Sequence, residues 1–226
     1  MTPPDQDVNE TIIRGIVVGS FAENCWVIGN RRTGEAVCID PGDQPEEILA
    51  MARDMGVRIK YIANSHAHID HILGVGAIRE QTGAKFLLHA GDLDLVRNTA
   101  TMARGWMGVD IPNPPDPDQF LADGDTVSVD GLNLGVIHTP GHTRGSVCFY
   151  ANGVVFAGDT LFAGSIGRTD LPGGDYDEEM ASIVEKLLAL PDETIVLPGH
   201  MDQTTIGHER QRNPYVRMEL EKRLSP

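Results

Sequence analysis

The chain has 226 residues, 41% hydrophobic and 23% charged, the make-up of a folded globular protein and not of a disordered or low-complexity one. Its 33 acidic and 18 basic residues give a net charge of −15, which argues against nucleic acid as a partner, because such a surface repels phosphate backbones. No apolar run approaches the roughly 18 residues that cross a bilayer. The polar stretch 1–10, with Pro3 and Pro4, lacks the basic start and apolar core of a signal peptide. The expectation is a cytoplasmic protein without a membrane partner, with a flexible lead-in over 1–10 and one domain over 11–226.

In chain order, 12–18, 25–28 and 36–39 read as strands, separated by turn residues at Gly19-Ser20 and over 30–34. A helix follows over 45–55. Pro45 suits its first turn, Ile48, Leu49, Ala52 and Met55 share a face, and Gly56 can cap it. Then come a strand over 57–63, a helix over 71–82 closed by Gly83, a strand over 85–88 and a helix over 92–106. The run Asn113-Pro114-Pro115-Asp116-Pro117-Asp118 fits neither helix nor central strand and reads as a loop.

Strands resume at 126–129, 132–138, 146–150 and 154–157, with Asp130-Gly131 and Asn152-Gly153 turning neighbouring pairs into hairpins. An amphipathic helix over 177–190, a short strand over 194–197 and a helix over 215–224 follow. Strands then helices, twice over and with hairpins in each half, suggest an α+β protein of layered sheets with helices outside, not a doubly wound parallel sheet. Cys25, Cys38 and Cys148 are odd in number, form no CxxC pair and sit in apolar runs, so they read as small buried hydrophobes of a reducing compartment.

The chemistry concentrates after the strand over 57–63. There His66-Ala67-His68-Ile69-Asp70-His71 places four potential ligands within six residues. On extended backbone His66 and His68 point the same way, since side chains alternate with period two. Asp70 and His71 then stand at the entrance of the next helix, so the run offers two ligands to one metal ion and two to a neighbour. Three imidazoles and a carboxylate suit zinc, with iron or manganese as alternatives. Three further segments share a pattern of apolar strand, tight turn and ligand-type residue: His138-Thr139-Pro140-Gly141-His142, Phe156-Ala157-Gly158-Asp159 and Val196-Leu197-Pro198-Gly199-His200. Each sets its residue at a strand end, where sites gather on such scaffolds.

These residues resemble the metallo-β-lactamase superfamily, whose marker is a His-x-His-x-Asp-His run followed by a His, a bridging Asp and a last His. The resemblance extends from about Ile13 to Tyr215. Within it, Gly158-Asp159-Thr160-Leu161-Phe162, Gly167-Arg168-Thr169-Asp170 and Pro198-Gly199-His200 are similar to the hydroxyacylglutathione hydrolase (glyoxalase II) branch. The resemblance implies a four-layer αββα sandwich with two divalent metal ions at one edge. By position, His66, His68 and His142 would hold one ion, Asp70, His71 and His200 the second, and Asp159 would bridge them. Asp40, in Ile39-Asp40-Pro41-Gly42, resembles the family's aspartate that orients a ligand histidine, and an ordinary strand-ending turn residue is the competing reading.

Ser65 stands where that family usually has Thr. Arg144 replaces a common Pro, and Met201-Asp202 replace a small residue and its neighbour; these changes near the mouth bear on substrate preference. Only 26 residues follow His200, where full-length glyoxalase II enzymes carry a helical domain that helps bind glutathione.

The implied activity is hydrolysis of a small-molecule thioester, such as S-lactoylglutathione, by a metal-bound hydroxide, with Asp70 and Asp159 as catalytic carboxylates and Arg168 as a candidate for the substrate carboxylate. An ion pair of Arg168 with Asp170 or Asp175 is the competing reading. A thiolate leaves without a dedicated acid, because thiol pKa values lie near 8.5. The rivals are a mononuclear iron persulfide dioxygenase, a lactonase of the same fold and a nuclease. His89, His138 and His208 read as packing or surface histidines, Met102, Trp106 and Met107 as core or loop packing, and 112–117 as a loop that borders the substrate mouth. The sequence leaves the oligomeric state open.

Overall fold

In the computed structural model, which describes residues 10–224, alternate side chains of the strands feed different cores. The lead-in expected over 1–10 lies, but for Glu10, outside the described residues. The first half contains β1 (Thr11–Val18), β2 (Glu23–Asn30), β3 (Glu35–Ile39), α1 (Pro45–Asp54), β4 (Arg58–Ala63), α2 (Ile69–Ile72), α3 (Val75–Thr82), β5 (Lys85–His89), α4 (Leu93–Met107) and β6 (Gln119–Leu121). Its strands form a sheet in sequential order, antiparallel from β1 to β3 and parallel from β3 to β6. The change comes from the connections: tight turns reverse the chain, whereas a helix crossover returns it in the same direction.

The second half contains β7 (Thr126–Val129), β8 (Leu132–His138), β9 (Val147–Ala151), β10 (Val154–Gly158), β11 (Leu161–Phe162), β12 (Ser165–Ile166), α5 (Tyr176–Ala181), β13 (Ile195–Pro198), β14 (Thr204–Thr205), α6 (Ile206–Arg212) and α7 (Pro214–Leu224). Its sheet runs β14-β13-β10-β9-β8-β7, and β11 and β12 form a separate hairpin. In β3, Ala36 and Cys38 face the core shared with α1 and α3, while Val37 and Ile39 face the second sheet. In β9, Phe149 faces the first sheet and Cys148 the core beneath α5. Helix, sheet, sheet and helix therefore stack as four layers, and the fold is the αββα sandwich of an α+β protein.

The helix expected over 71–82 is two helices. The break falls at Gly74, whose amide donates to the Pro41 carbonyl at 2.8 Å. A Cβ there would come within 2.7 Å of that oxygen. The helix expected over 177–190 opens as α5, widens into a π turn over Ser182–Lys186 and ends in a 3-10 turn over Leu187–Ala189. Strands β6, β11, β12 and β14 leave no mark in the sequence, since two or three residues display no periodicity. All three cysteines are buried and free. Among the described residues no helix is long and apolar enough to cross a membrane.

Candidate metal centre

Strand β4 ends at Ala63, and the chain bends at Ser65 and reaches His68, itself extended, before α2 begins. His66 and His68 consequently face the same side, their ring centroids 4.8 Å apart. Ala67 between them turns into the helix-side core, and its amide donates to Asp92 Oδ2 at 3.0 Å. The first turn of α2 presents Asp70 and His71. Because β10 and β13 are parallel, Asp159 and His200 emerge side by side just beyond their ends. Gly199 makes the approach feasible: a Cβ there would lie 2.4 Å from Asp159 Oδ1 and 2.7 Å from His71 Cε1.

Two groups result. His66, His68 and His142 bring one ring nitrogen each within 4.8 Å of the others, and Asp70, His71 and His200 do the same with a carboxylate oxygen and two nitrogens. His142 Nε2 lies 2.8 Å from His68 Nδ1 and 3.2 Å from His66 Nε2. His200 Nε2 lies 3.1 Å from Asp70 Oδ2. Asp159 stands between the groups: Oδ1 is 3.4 Å from His71 Nε2, and Oδ2 is 3.6 Å from His142 Nε2 and 3.7 Å from His200 Nε2. All seven residues singled out by their sequence pattern therefore converge.

The surroundings hold the donors in place. Asp40, at φ 50°, accepts the Ser65 amide and hydroxyl at 2.6 Å each. Its Oδ2 also faces His71 Nδ1 at 3.2 Å. It is thus a strand-ending turn residue whose side chain also faces His71. Asp40, His66 and His71 make a third cluster of donor atoms, but the Asp40 oxygens are already engaged by Ser65 and the outer nitrogen of His71. His142 Nδ1 donates to the Arg168 carbonyl at 2.8 Å, which leaves the Nε2 lone pair facing the cluster.

Burial, reinforced by His71 and His142, pushes the His66 pKa well down. Burial and His142 push His68 down to about 3. Burial also disfavours charge on His71, but the carboxylates of Asp159 and Asp40 outweigh it and raise its pKa. His200 shifts up as well, its burial outweighed by Asp70 and Asp159. Burial raises the Asp159 pKa, yet His71 and its neighbours hold the carboxyl well below the usual range.

The residues fit a pair of divalent cations. His71 Nε2 and Asp159 Oδ1 are buried, face each other and have no hydrogen-bond partner among the described residues. Imidazoles packed nitrogen to nitrogen, with carboxylates beside them, form a donor set that a cation satisfies and water alone does not.

Three further carboxylates escape a reading of the sequence. Asp92 stands where a helix-opening residue is expected, yet it also accepts from the Thr143 hydroxyl at 2.8 Å and the Gly145 amide at 2.8 Å, which ties the His142 turn to the His66–His68 segment. Glu23, 3.9 Å from His71 Nδ1, and Glu179 of α5 are fully buried, and neither has a hydrogen-bonded carboxylate oxygen among the described residues. Burial raises the pKa of both. Glu179 looks like an ordinary acidic residue of a first helical turn, so only the fold exposes it.

A cavity of about 470 Å³ opens above the cluster, with His68, Asp70, His142, Asp159 and His200 at its floor. Arg168 lines it, with its guanidinium paired to both oxygens of Asp170 at 2.8 Å. Two expectations need correction. Trp106 is not core packing: it lies at the end of α4 with 56% of its surface exposed and lines the cavity. The loop over 112–118 contributes nothing to the lining; its Asp116 and Asp118 pair with Arg97 and Arg79, which hold it against the helices instead.

The family model described as "Metallo-beta-lactamase superfamily" matches residues 18–200. Among curated relatives, the "Hydroxyacylglutathione hydrolase GloC" of Haemophilus influenzae is 33% identical, over 89% of this chain and 96% of that protein. Among solved structures, "BLEG-1 B3 metallo-beta-lactamase" superposes with a TM-score of 0.85 at 35% identity, over 91% of this chain and 99% of that one. "TTHA1623 in a di-iron-bound form" gives a TM-score of 0.80 at 39% identity, over 89% and 99%.

Proposed function

Because the chain belongs to the metallo-β-lactamase superfamily, whose members are generally hydrolytic metalloenzymes, we propose that it hydrolyses a glutathione thioester, with S-lactoylglutathione as the first substrate to test. In this reading His66, His68 and His142 would hold one divalent ion and Asp70, His71 and His200 a second, with Asp159, which stands between the two groups, available to both. Zinc suits these donors, with iron the natural alternative given the di-iron neighbour. When bound, such a pair lowers the pKa of a water from about 15.7 towards 7 and polarises a carbonyl.

The observation that carries the choice of thioester is the make-up of the cavity. Apart from the His and Asp cluster itself, its lining among the described residues offers Arg168 as the sole ionisable side chain, and an arginine does not give up its proton. An amide nitrogen needs a proton to leave, whereas a thiolate does not. The similarity to the Haemophilus hydrolase supports the same reading. Asp70 sits at the floor, and burial would raise its pKa, but the hydrogen bond with His200 holds its carboxyl ionised. It orients the attacking water and accepts its proton. Arg168 reaches the carrier's carboxylate by exchanging it for Asp170, because an exposed ion pair of this kind contributes only about 0–1 kcal/mol.

Metal content and turnover of S-lactoylglutathione, measured on one preparation, test the reading. Two ions per chain and activity that chelation removes and metal restores are expected. One iron per chain with oxygen uptake on glutathione persulfide would identify a dioxygenase instead. Turnover of a chromogenic cephalosporin in place of the thioester would favour the lactam chemistry after which the BLEG-1 protein is named.

A further inference from the structure

The walls of the cavity differ in character from its floor. Phe21 after β1, Trp106 at the end of α4, Phe162 in β11, Leu171 and Met201 all line it. Three of these are unusually exposed for their type: Phe21 at 48%, Trp106 at 56% and Met201 at 59%. Large apolar side chains that converge on one cavity while still wet are a surface waiting to be covered. The apolar surface begins at the ligands themselves, since the Phe162 ring meets His200 edge-on with centroids 6.2 Å apart. Outside the His and Asp cluster, the described lining holds one charged side chain, Arg168, and one hydroxyl, Ser165.

We propose that these walls form an acyl subsite, and that the preferred substrates are thioesters of unsubstituted apolar acids, aliphatic or aromatic, in preference to short hydroxy acids. The proposal rests on the thioesterase reading and specifies its acyl group. The carbonyl under attack has to sit over the floor, and the acyl chain bonded to it has to enter the walls beside it. A thiol carrier such as glutathione is a polar, charged peptide, whose place is at the rim, where Arg168 offers a cation. An acyl hydroxyl would lose water on entering these walls and find few side-chain partners there, the Ser165 hydroxyl and the Trp106 indole N–H.

The test compares kcat/KM for acetyl-, isobutyryl-, hexanoyl- and lactoyl-glutathione on the metal-loaded enzyme. Isobutyryl and lactoyl differ by a methyl in place of a hydroxyl. The isobutyryl ester is expected to exceed the lactoyl ester at least about five-fold, and the acetyl-to-hexanoyl series to rise about four-fold per buried methylene. Trp106→Ala, a change at an exposed position, is expected to shrink the hexanoyl-to-acetyl ratio. S-hexylglutathione, a thioether that cannot be hydrolysed, is expected to bind more tightly than S-methylglutathione and to shift tryptophan emission in the parent but not in Trp106→Ala. A flat series, a ratio unmoved by Trp106→Ala, or lactoyl turned over faster than isobutyryl overturns the subsite and leaves the thioesterase reading standing. No turnover of any of the four esters with two ions per chain overturns both.

Discussion

Asp40 has three tasks, and they can be separated by substitution. It holds a left-handed backbone at φ 50°, fixes Ser65 through two hydrogen bonds and faces His71. Asn tolerates that backbone and keeps one acceptor, whereas Ala keeps neither. Asp40→Ala is expected to weaken metal binding about 10–100-fold and to lower stability by roughly 1–3 kcal/mol through the orphaned Ser65 amide. Asp40→Asn should lie between it and the parent. Competition against a chelator and urea unfolding measure the two effects, and equal losses for Asn and Ala would remove the charge and acceptor argument.

The ligands also respond differently to acid. In the metal-free protein His71 and His200 have raised pKa values, so a cation at Asp70, His71 and His200 has to displace protons. His66 and His68 have lowered values, His68 about 3, and are already neutral at pH 7. Acidification from pH 7.5 to 6 is therefore expected to empty the Asp70–His71–His200 group first. Elemental analysis after dialysis, read for wild type and His200→Ala, reports which ion leaves; earlier loss from the three-histidine group contradicts the assignment. At this scale the sequence displays every donor, because ligand types and strand-end turns are local signals. Glu23 and Glu179 stay hidden, because only packing turns an ordinary acidic residue into a buried one.

The elements fix the site by ending together. β4, β10 and β13 each stop at the same edge, and the short backbone beyond them is packed too closely for ordinary side chains. Gly199→Ala inserts a methyl group 2.4 Å from Asp159 Oδ1. The carboxylate or the turn has to move, and a displacement near 1 Å at reacting groups costs on the order of 100-fold in rate. The expected result is a loss in kcat/KM of that size with sub-stoichiometric metal but a nearly unchanged far-ultraviolet spectrum; full activity would show that the turn yields freely. Periodicity reveals the long strands and α1. It misses the break between α2 and α3, because Gly74 is shaped by Pro41, 33 positions earlier in the chain. It also assigns Trp106 to packing, because an apolar residue on an amphipathic helix gives no sign of which partner it lacks.

Across the whole molecule, the net charge of −15 surrounds a cavity whose described lining, outside the His and Asp cluster, has one cationic side chain, itself paired with Asp170. A glutathione thioester carries two carboxylates and one ammonium group, so it approaches a surface of its own sign and is slowed by it. Salt shortens the reach of that repulsion, to about 10 Å at 0.1 M. Consequently kcat/KM for a glutathione thioester should rise with sodium chloride between about 10 and 200 mM, chiefly through KM. A neutral thioester of the same acyl group should show no such rise. If Arg168 binds the carrier's carboxylate strongly, the opposite slope is expected, because screening would weaken the attraction that matters most. The salt series therefore separates long-range repulsion by the whole surface from short-range capture by one arginine, and Arg168→Ala should steepen the rise if both act.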